Sequence, residues 1–199
     1  SSASFPFRGL YDTRAILAIC PAFAGEDKNI TENNFPYYQC FYLAAVKLHH
    51  TLAEAVVSAL QMIFEDQKYA DKVIEKVLKQ NPKWGARDRR FIAETTYDIV
   101  RWYRLLKEIS GASEHDYWKI LGGYFVHTRG SVPEWPEFKK TDVRQILAQR
   151  KEVEGIRKIK QSIPDWLDEL GEKEMGEKWD AELNALNEEA KGVLRVNTL

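Results

Sequence analysis

Apolar side chains recur at the three- and four-residue spacing of an α-helix through most of the range 48–187, and this period confines the chain to a helical architecture. Each stripe places its apolar side chains on one helix face, which another helix has to cover. The sequence therefore predicts an all-α fold, a helical bundle. No internal repeat accompanies the period.

Interruptions of the period predict where the helices begin and end. Asn81-Pro82 ends the second helix, because the residue before a proline disfavours helical conformation. The third helix carries the most sustained stripe and continues without a break from its N-cap, Gly85, to Ser110-Gly111. A loop from Arg129 to Phe138 follows the fourth helix. The expected helices lie near 48–65, over 69–78, from Gly85 to Ser110, near 114–126, from Thr141 or Asp142 to Ile159, and, after a new start at Ser162, as far as Leu186.

Residues 1–46 carry no sustained period, because prolines and glycines interrupt them. We interpret this irregular extension either as disordered or as sequence translated ahead of the natural start, for which Val46 is a candidate. Its two cysteines, Cys20 and Cys40, lack a Cys-x-x-Cys spacing, so we expect neither a disulfide nor a metal site. A reducing cytoplasm is the expected compartment.

The two signs of charge are separated along the chain. Residues 47–160 carry 22 basic and 16 acidic side chains, whereas residues 161–199 carry 4 and 10. A basic helical domain over 47–160 followed by an acidic helical connector over 161–192 is compatible with a polyanionic partner, although solvated helix faces give such a distribution too. No apolar run approaches the roughly 18–20 residues of a membrane-spanning helix, so we expect no membrane partner.

The last seven residues, Val193 to Leu199, alternate in the manner of a β-strand. An isolated strand leaves its backbone donors and acceptors unpaired, and nothing upstream offers a partner strand. We therefore expect the partner strands to lie beyond Leu199, and we interpret the chain as the front part of a longer protein.

No residue pattern predicts an active site in this chain. The carboxylates that follow Pro164 are better explained as an acidic helix start than as a catalytic pair. There is no Gly-rich phosphate loop, and no Ser, Cys or Lys lies in a recognisable nucleophile setting. Metal-ligand spacing is missing among the four histidines, which are His49, His50, His115 and His127. We expect no catalytic residue and no metal site here.

Basic side chains, the first of them Lys79, gather with one tryptophan around the turn into the third helix. Phosphates would be met there by cationic groups and by free N–H groups of the helix start, while Trp84 could stack on an unpaired base. The alternative is that the arginines pair with Asp88, Glu94 and the neighbouring helices while Trp84 covers the core. We predict RNA contacts for Lys83, Trp84, Arg87, Arg89, Arg90, Arg101 and Arg104.

Two parts of the sequence together resemble a known family. Three segments resemble the helical domain of the transcription antitermination factor NusB, in the version fused in front of Sun-type (NOL/NOP/Sun) ribosomal RNA cytosine-5 methyltransferases: Tyr69-Ala-Asp-Lys-Val-Ile-Glu-Lys-Val-Leu78, Arg87-Asp-Arg-Arg-Phe-Ile92 and Tyr97-Asp-Ile-Val-Arg101. Three further segments resemble the connector and first strand that lead into that family's methyltransferase module: Ser162-Ile-Pro-Asp-Trp-Leu167, Ala185-Leu-Asn187 and Leu194-Arg-Val-Asn-Thr-Leu199.

The resemblance implies a NusB-like domain over 47–160 and, at 193–199, the start of a truncated methyltransferase module. It implies that the parent enzyme transfers a methyl group from S-adenosylmethionine to carbon five of a cytosine in small-subunit ribosomal RNA. The partners of this part would be ribosomal RNA and the chain's own C-terminal methyltransferase module. The family's cysteines and cofactor motifs follow the first strand, so Cys20 and Cys40 inherit no catalytic role and S-adenosylmethionine is expected only in the full-length parent.

The sequence leaves three functions open. The first is the RNA-binding N-terminal part of such a methyltransferase, inactive by itself. The alternative is a free-standing NusB-like RNA-binding transcription antitermination factor, which has no need of an acidic connector or an unpaired strand. The third is a helical protein-interaction domain without an RNA role.

Overall fold

The structure is a computed structural model that describes residues 48–188, and over that range the chain is all-α, as the sequence predicts. The expected extension 1–46, the last residues of the expected connector and the expected strand 193–199 lie outside the described residues. The helices are α1 (His50–Phe64), α2 (Ala70–Gln80), α3 (Ala86–Arg101), α4 (Tyr103–Ser110), α5 (Tyr117–Arg129), α6 (Val143–Val153), α7 (Arg157–Lys160), α8 (Asp165–Met175) and α9 (Trp179–Leu186). Two short 3-10 turns, Pro136–Phe138 and Gly176–Lys178, precede α6 and α9.

Helix α5 is the central element of the bundle, because it packs against α1, α3, α4 and α6. Its two adjacent glycines allow close contacts. A Cβ on Gly123 would lie 2.9 Å from the Cβ of Ser110 on α4, and a Cβ on Gly122 would lie 3.3 Å from the ring of Phe138. The core around α5 includes the fully buried side chains of Leu52, Leu60, Phe91, Ile92, Ile99, Leu106, Ile120, Leu121, Tyr124 and Phe125.

Several expected helix ends are found where the sequence placed them. Gly85 is the N-cap of α3, and Gly111 follows α4 in the left-handed conformation, with φ 60°. Asp142 rather than Thr141 caps α6, since its carboxylate accepts hydrogen bonds from the backbone N–H groups of Arg144 and Gln145. These ends were predictable because capping depends on local residue types.

Three expected helices are each divided in the structure, and the one expected from Ser162 to Leu186 is interrupted by the 3-10 turn Gly176–Lys178. The third helix breaks at Trp102, whose backbone has φ −101° and ψ 19°. Neither proline nor glycine lies at the break, so the sequence carries no signal of it. The helix expected to reach Ile159 ends at Val153, and a turn at Glu154-Gly155 separates it from α7. Gly155 interrupts the period at that point and is a signal that could have been used.

Helices α8 and α9 enclose a small hydrophobic core of their own, formed by Ile163, Trp179 and Leu183. Gly171 on α8 lies against the indole of Trp179, because a Cβ built on Gly171 would come within 2.2 Å of that ring. The indole N–H of Trp179 donates to the carboxylate of Asp168 at 3.0 Å. Within residues 48–188, none of the helices combines the length and the apolar composition that crossing a bilayer requires.

Candidate RNA-binding surface

The turn between α2 and α3 carries five of the residues predicted to contact RNA, and we call them the turn cluster: Lys83, Trp84, Arg87, Arg89 and Arg90. The N-cap residue of α3, Gly85, offers no side chain to the N–H groups of the first turn. A Cβ placed on Gly85 would meet no atom within 4 Å, so the space beside the helix start is open. Free N–H groups and the positive end of the helix dipole make such a position attractive to anions.

Lys83 and Arg87 are the most available cations of the turn cluster. Both residues are exposed, and within residues 48–188 neither side chain has a hydrogen-bond or ion-pair partner. The backbone N–H of Lys83 donates to Oδ1 of Asn81 at 3.2 Å, which orders the turn. A phosphate that approached these two side chains would break no hydrogen bond or ion pair among the described residues.

Arg89 and Arg90 differ from them in having partners within the fold. Nη1 of the half-buried Arg89 donates to the carbonyl oxygen of Leu78 at 3.1 Å and so joins the end of α2 to α3. Nε of Arg90 donates to Oε1 of Glu94 at 2.6 Å, one turn along α3. An exposed ion pair of this kind contributes little stability. Arg89 could not meet a phosphate without loosening the turn.

Trp84 is half-buried and packs against the main hydrophobic core. This contact corresponds to the alternative interpretation, in which the indole covers the core. The covered part of the ring fixes its position, and the exposed part is what a base could meet. Stacking of RNA on Trp84 stays a prediction.

Arg101 lies at the opposite end of α3, roughly 20 Å along the helix axis from Arg87. Its Nη1 donates to the carbonyl oxygen of Ser162 and its Nη2 to that of Gln161, both at 3.3 Å, and Nη2 also donates to Oδ1 of Asn187. Burial lowers the pKa of the Arg101 guanidinium below its ordinary value. The structure therefore gives Arg101 a role in holding the expected connector against the bundle.

Arg104 holds the same part of the chain. Its Nη1 donates to the carbonyl oxygen of Ile163 at 2.5 Å, and its Nη2 lies 2.6 Å from Oδ1 of Asp165. The hydrogen bond from Arg104, together with one from Lys158, lowers the pKa of the Asp165 carboxyl. The structure thus does not bring Arg101 and Arg104 together with the turn cluster, and RNA would have to displace these contacts to reach them.

Helix α2 and the turn after it carry a second row of cations, of which the sequence analysis singled out only Lys79 and Lys83. Lys72, Lys76 and Lys79 follow one another at intervals of four and three residues, which places them on one side of α2, and Lys83 follows in the turn after the helix ends at Gln80. All four residues are exposed. The helical period that predicted the buried face of α2 also defines the opposite face, so Lys72 and Lys76 could have been recognised from spacing alone. We call these four residues the lysine row.

A shallow depression of about 450 Å³ follows the lysine row and is lined by Lys72, Glu75, Lys76, Lys79 and Gln80. A second one, of about 350 Å³, lies between α7 and α9 among charged and amide side chains. Sites for nucleoside cofactors are normally lined by apolar and aromatic side chains. Neither set of residues fits S-adenosylmethionine, and we derive no step through that cofactor in this chain.

Of the four histidines, His50 and His127 pack against other side chains, whereas His49 and His115 are exposed. Within residues 48–188, no three His, Cys, Asp or Glu side chains are grouped in a way that could hold a metal ion. The ring of His50 stacks on Trp118, and its Nε2 lies 3.1 Å from Oε1 of Glu137. His127 is half-buried, and burial together with the charge of Arg150 lowers its pKa to about 3.

Among the described residues, the turn cluster is thus the place where exposed unpaired cations, an open helix start and a partly exposed aromatic ring come together. The lysine row continues it along α2, since Lys83 belongs to both. Comparisons of this chain with protein-family models, with curated proteins and with solved structures found no match.

Proposed function

We propose that this chain is the RNA-binding N-terminal part of an S-adenosylmethionine-dependent ribosomal RNA cytosine-5 methyltransferase that works in the cytoplasm. The observation that carries the RNA-binding part is the position of Lys83 and Arg87, exposed and unpaired beside the open start of α3. An anion bound there meets two cations and the N–H groups of a helix start. Phosphates of a nucleic acid backbone are anions that suit this geometry.

The resemblance to the NusB-like domain and connector of Sun-type enzymes supports the methyltransferase part of the proposal. In such a protein the helical domain would hold ribosomal RNA near the chain's own C-terminal methyltransferase module, which would supply the cofactor site and the nucleophile. The contacts of Arg101 and Arg104 suit this arrangement, because they fix the start of the acidic segment to the bundle. The direction in which the chain leaves the bundle is then constrained.

A salt-dependent binding measurement tests the RNA-binding part. The full chain carrying Lys83→Gln and Arg87→Gln is compared with the wild type on a labelled ribosomal RNA fragment. Loss of two phosphate contacts should weaken binding about tenfold and reduce the slope of log K against log salt by about 1.5. The matched control is Arg144→Gln with Lys151→Gln, which removes one exposed arginine and one exposed lysine from α6.

Equal losses in the two double variants would show that only overall charge matters and would remove the turn cluster as the binding site.

The methyltransferase part is tested separately, by reading the coding sequence downstream of Leu199. A Gly-rich cofactor loop and a Pro-Cys motif are expected there. An immediate stop codon would instead favour a free-standing RNA-binding factor.

A further inference from the structure

The exposed side of α2 carries lysines that are only partly paired within the fold. Of the lysine row, Lys79 pairs with Glu75 at 2.6 Å and Lys72 lies 4.0 Å from Asp71, in both cases between largely exposed side chains. Lys76 and Lys83 have no side-chain partner within the described range. Surface ion pairs of this kind contribute little, so all four ammonium groups are available to a ligand.

An exposed aromatic ring lies at the beginning of the same face. Tyr69 is the N-cap residue of α2, and its side chain makes no capping hydrogen bond. It is 83% exposed, the highest value among the large apolar side chains of the described residues. Tyr69 precedes Lys72 by three residues and Lys76 by seven, so the helical repeat brings the ring to the side of the lysine row.

Cations in a row with an aromatic ring at one end form the combination by which proteins bind unpaired nucleic acid strands, in which phosphates meet the cations and a base stacks on the ring. From Lys72 to Lys79 the row extends roughly 10 Å along the axis of α2, and Lys83 follows in the turn beyond the helix end. A duplex keeps its bases stacked inside, where Tyr69 could not reach them. The cations and the ring meet phosphates and base faces, which all nucleotides share, so contact with the strand would depend weakly on its sequence.

We infer that the lysine row and Tyr69 form a track for an unpaired RNA strand, with a base stacked on Tyr69 and phosphates on the lysines. The track continues into the turn cluster through Lys83 and ends at the open start of α3. This inference rests on the proposed RNA-binding function and adds the class of RNA and the direction in which it lies. The strand follows α2 from Tyr69 towards Arg87.

Fluorescence anisotropy on the full chain tests the track, with a labelled oligouridylate of about 12 nucleotides and a blunt RNA duplex of the same length as probes. Lys72→Gln with Lys76→Gln should weaken oligouridylate binding about tenfold and reduce the salt slope by about 1.4, at about 0.7 per phosphate contact. Lys139→Gln with Lys140→Gln is the matched control, because both lysines are exposed in the loop before α6. The control should follow the wild type.

Two variants of Tyr69 test whether its aromatic ring contributes to RNA binding. Tyr69→Ala should weaken oligouridylate binding at least about fivefold, because the stacking of one base is lost. The salt slope should not change, because the number of phosphate contacts stays the same. Tyr69→Phe keeps the ring and should bind like the wild type. Circular dichroism confirms that each variant is folded, which is expected since Tyr69 makes no capping bond.

The possible failures are distinguishable. If the wild type binds oligouridylate but the lysine variant matches its control, or if Tyr69→Ala matches Tyr69→Phe, the track is wrong while RNA binding by the turn cluster stands. Preference of the wild type for the duplex would also overturn the track. If the wild type binds neither oligouridylate nor duplex nor ribosomal RNA, the proposed function itself fails.

Discussion

His127 is a residue whose burial makes the stability of the bundle depend on pH. In the folded chain its pKa is lowered to about 3, first by burial and then by the charge of Arg150. The unfolded chain takes up this proton below the ordinary value of 6.5, and the folded chain does not until much lower pH. Above pH 6.5 His127 should therefore not reduce the free energy of unfolding. This free energy should fall as the pH drops from 6.5 towards 3.

His127→Gln removes the titration and should flatten this dependence. Between about pH 7.5 and about pH 5, the loss of unfolding free energy should be roughly 2 kcal/mol smaller in the variant than in the wild type. Urea unfolding at the two pH values measures the difference, and the comparison within each protein cancels any general loss of packing. His49→Gln controls for removal of an exposed histidine. An equal pH-dependent loss in all three proteins would contradict the assignment to His127.

At the scale of elements, α8 can pack closely against the indole of Trp179 only because the residue at the contact, Gly171, has no side chain. A methyl group on Gly171 would lie 2.2 Å from the indole ring, so Gly171→Ala has to move Trp179 out of the small core with Ile163 and Leu183. Overpacking of this kind costs about 1–3 kcal/mol. We expect faster hydrogen exchange in α8 and α9, measured by mass spectrometry, with exchange in α5 unchanged.

Gly155→Ala is the matched control for that experiment. A Cβ at Gly155 would meet no atom within 4 Å, and the substitution restricts the unfolded chain, so the variant should be as stable as the wild type or slightly more stable. Similar exchange in the two alanine variants would mean that the indole can move aside freely and that the small core is loosely packed.

The elements also show which parts of the fold were predictable from the sequence. Helices with a clear apolar stripe and a local end signal were found, as at Gly85, Gly111 and Asp142, because period and capping are written in neighbouring residues. The break at Trp102 was not predictable, since no proline or glycine marks it. The contact of Gly171 with Trp179 joins residues of two helices, and a single sequence does not reveal such pairs.

On the scale of the whole molecule, the separation of charge along the sequence becomes a set of contacts between the bundle and the acidic segment. Arg157 on α7 lies 2.7 Å from Asp168 and 2.9 Å from Glu172 of α8. Lys158 and Arg104 meet Asp165 at 3.2 and 2.6 Å. Composition predicted that the two signs are segregated but could not tell which cations face the acidic segment and which stay in solvent. That division separates Arg101 and Arg104 from Lys83 and Arg87 as candidates for RNA contact.

Arg104 should therefore control how firmly residues 162–186 are held, more than it controls the stability of the bundle. Arg104→Ala removes charge-assisted hydrogen bonds to Ile163 and Asp165, and such bonds contribute about 1.5–3 kcal/mol each when shielded from water. The Arg104 side chain is 33% exposed, so a net loss of about 1–2 kcal/mol is the reasonable expectation. Local opening of α8 and α9 should then become about 5- to 30-fold more frequent in hydrogen exchange.

Arg104→Lys provides the second half of this experiment. A lysine keeps the positive charge near Asp165 but cannot donate to the Ile163 carbonyl and the carboxylate from one planar group. Its exchange rates in α8 and α9 should lie between those of the wild type and Arg104→Ala, with α1 and α5 protected to the same degree in all three. A uniform rise of exchange across α1, α5 and α8 would mean that Arg104 supports the bundle as a whole, and the acidic segment would then not be a separately held part of the molecule.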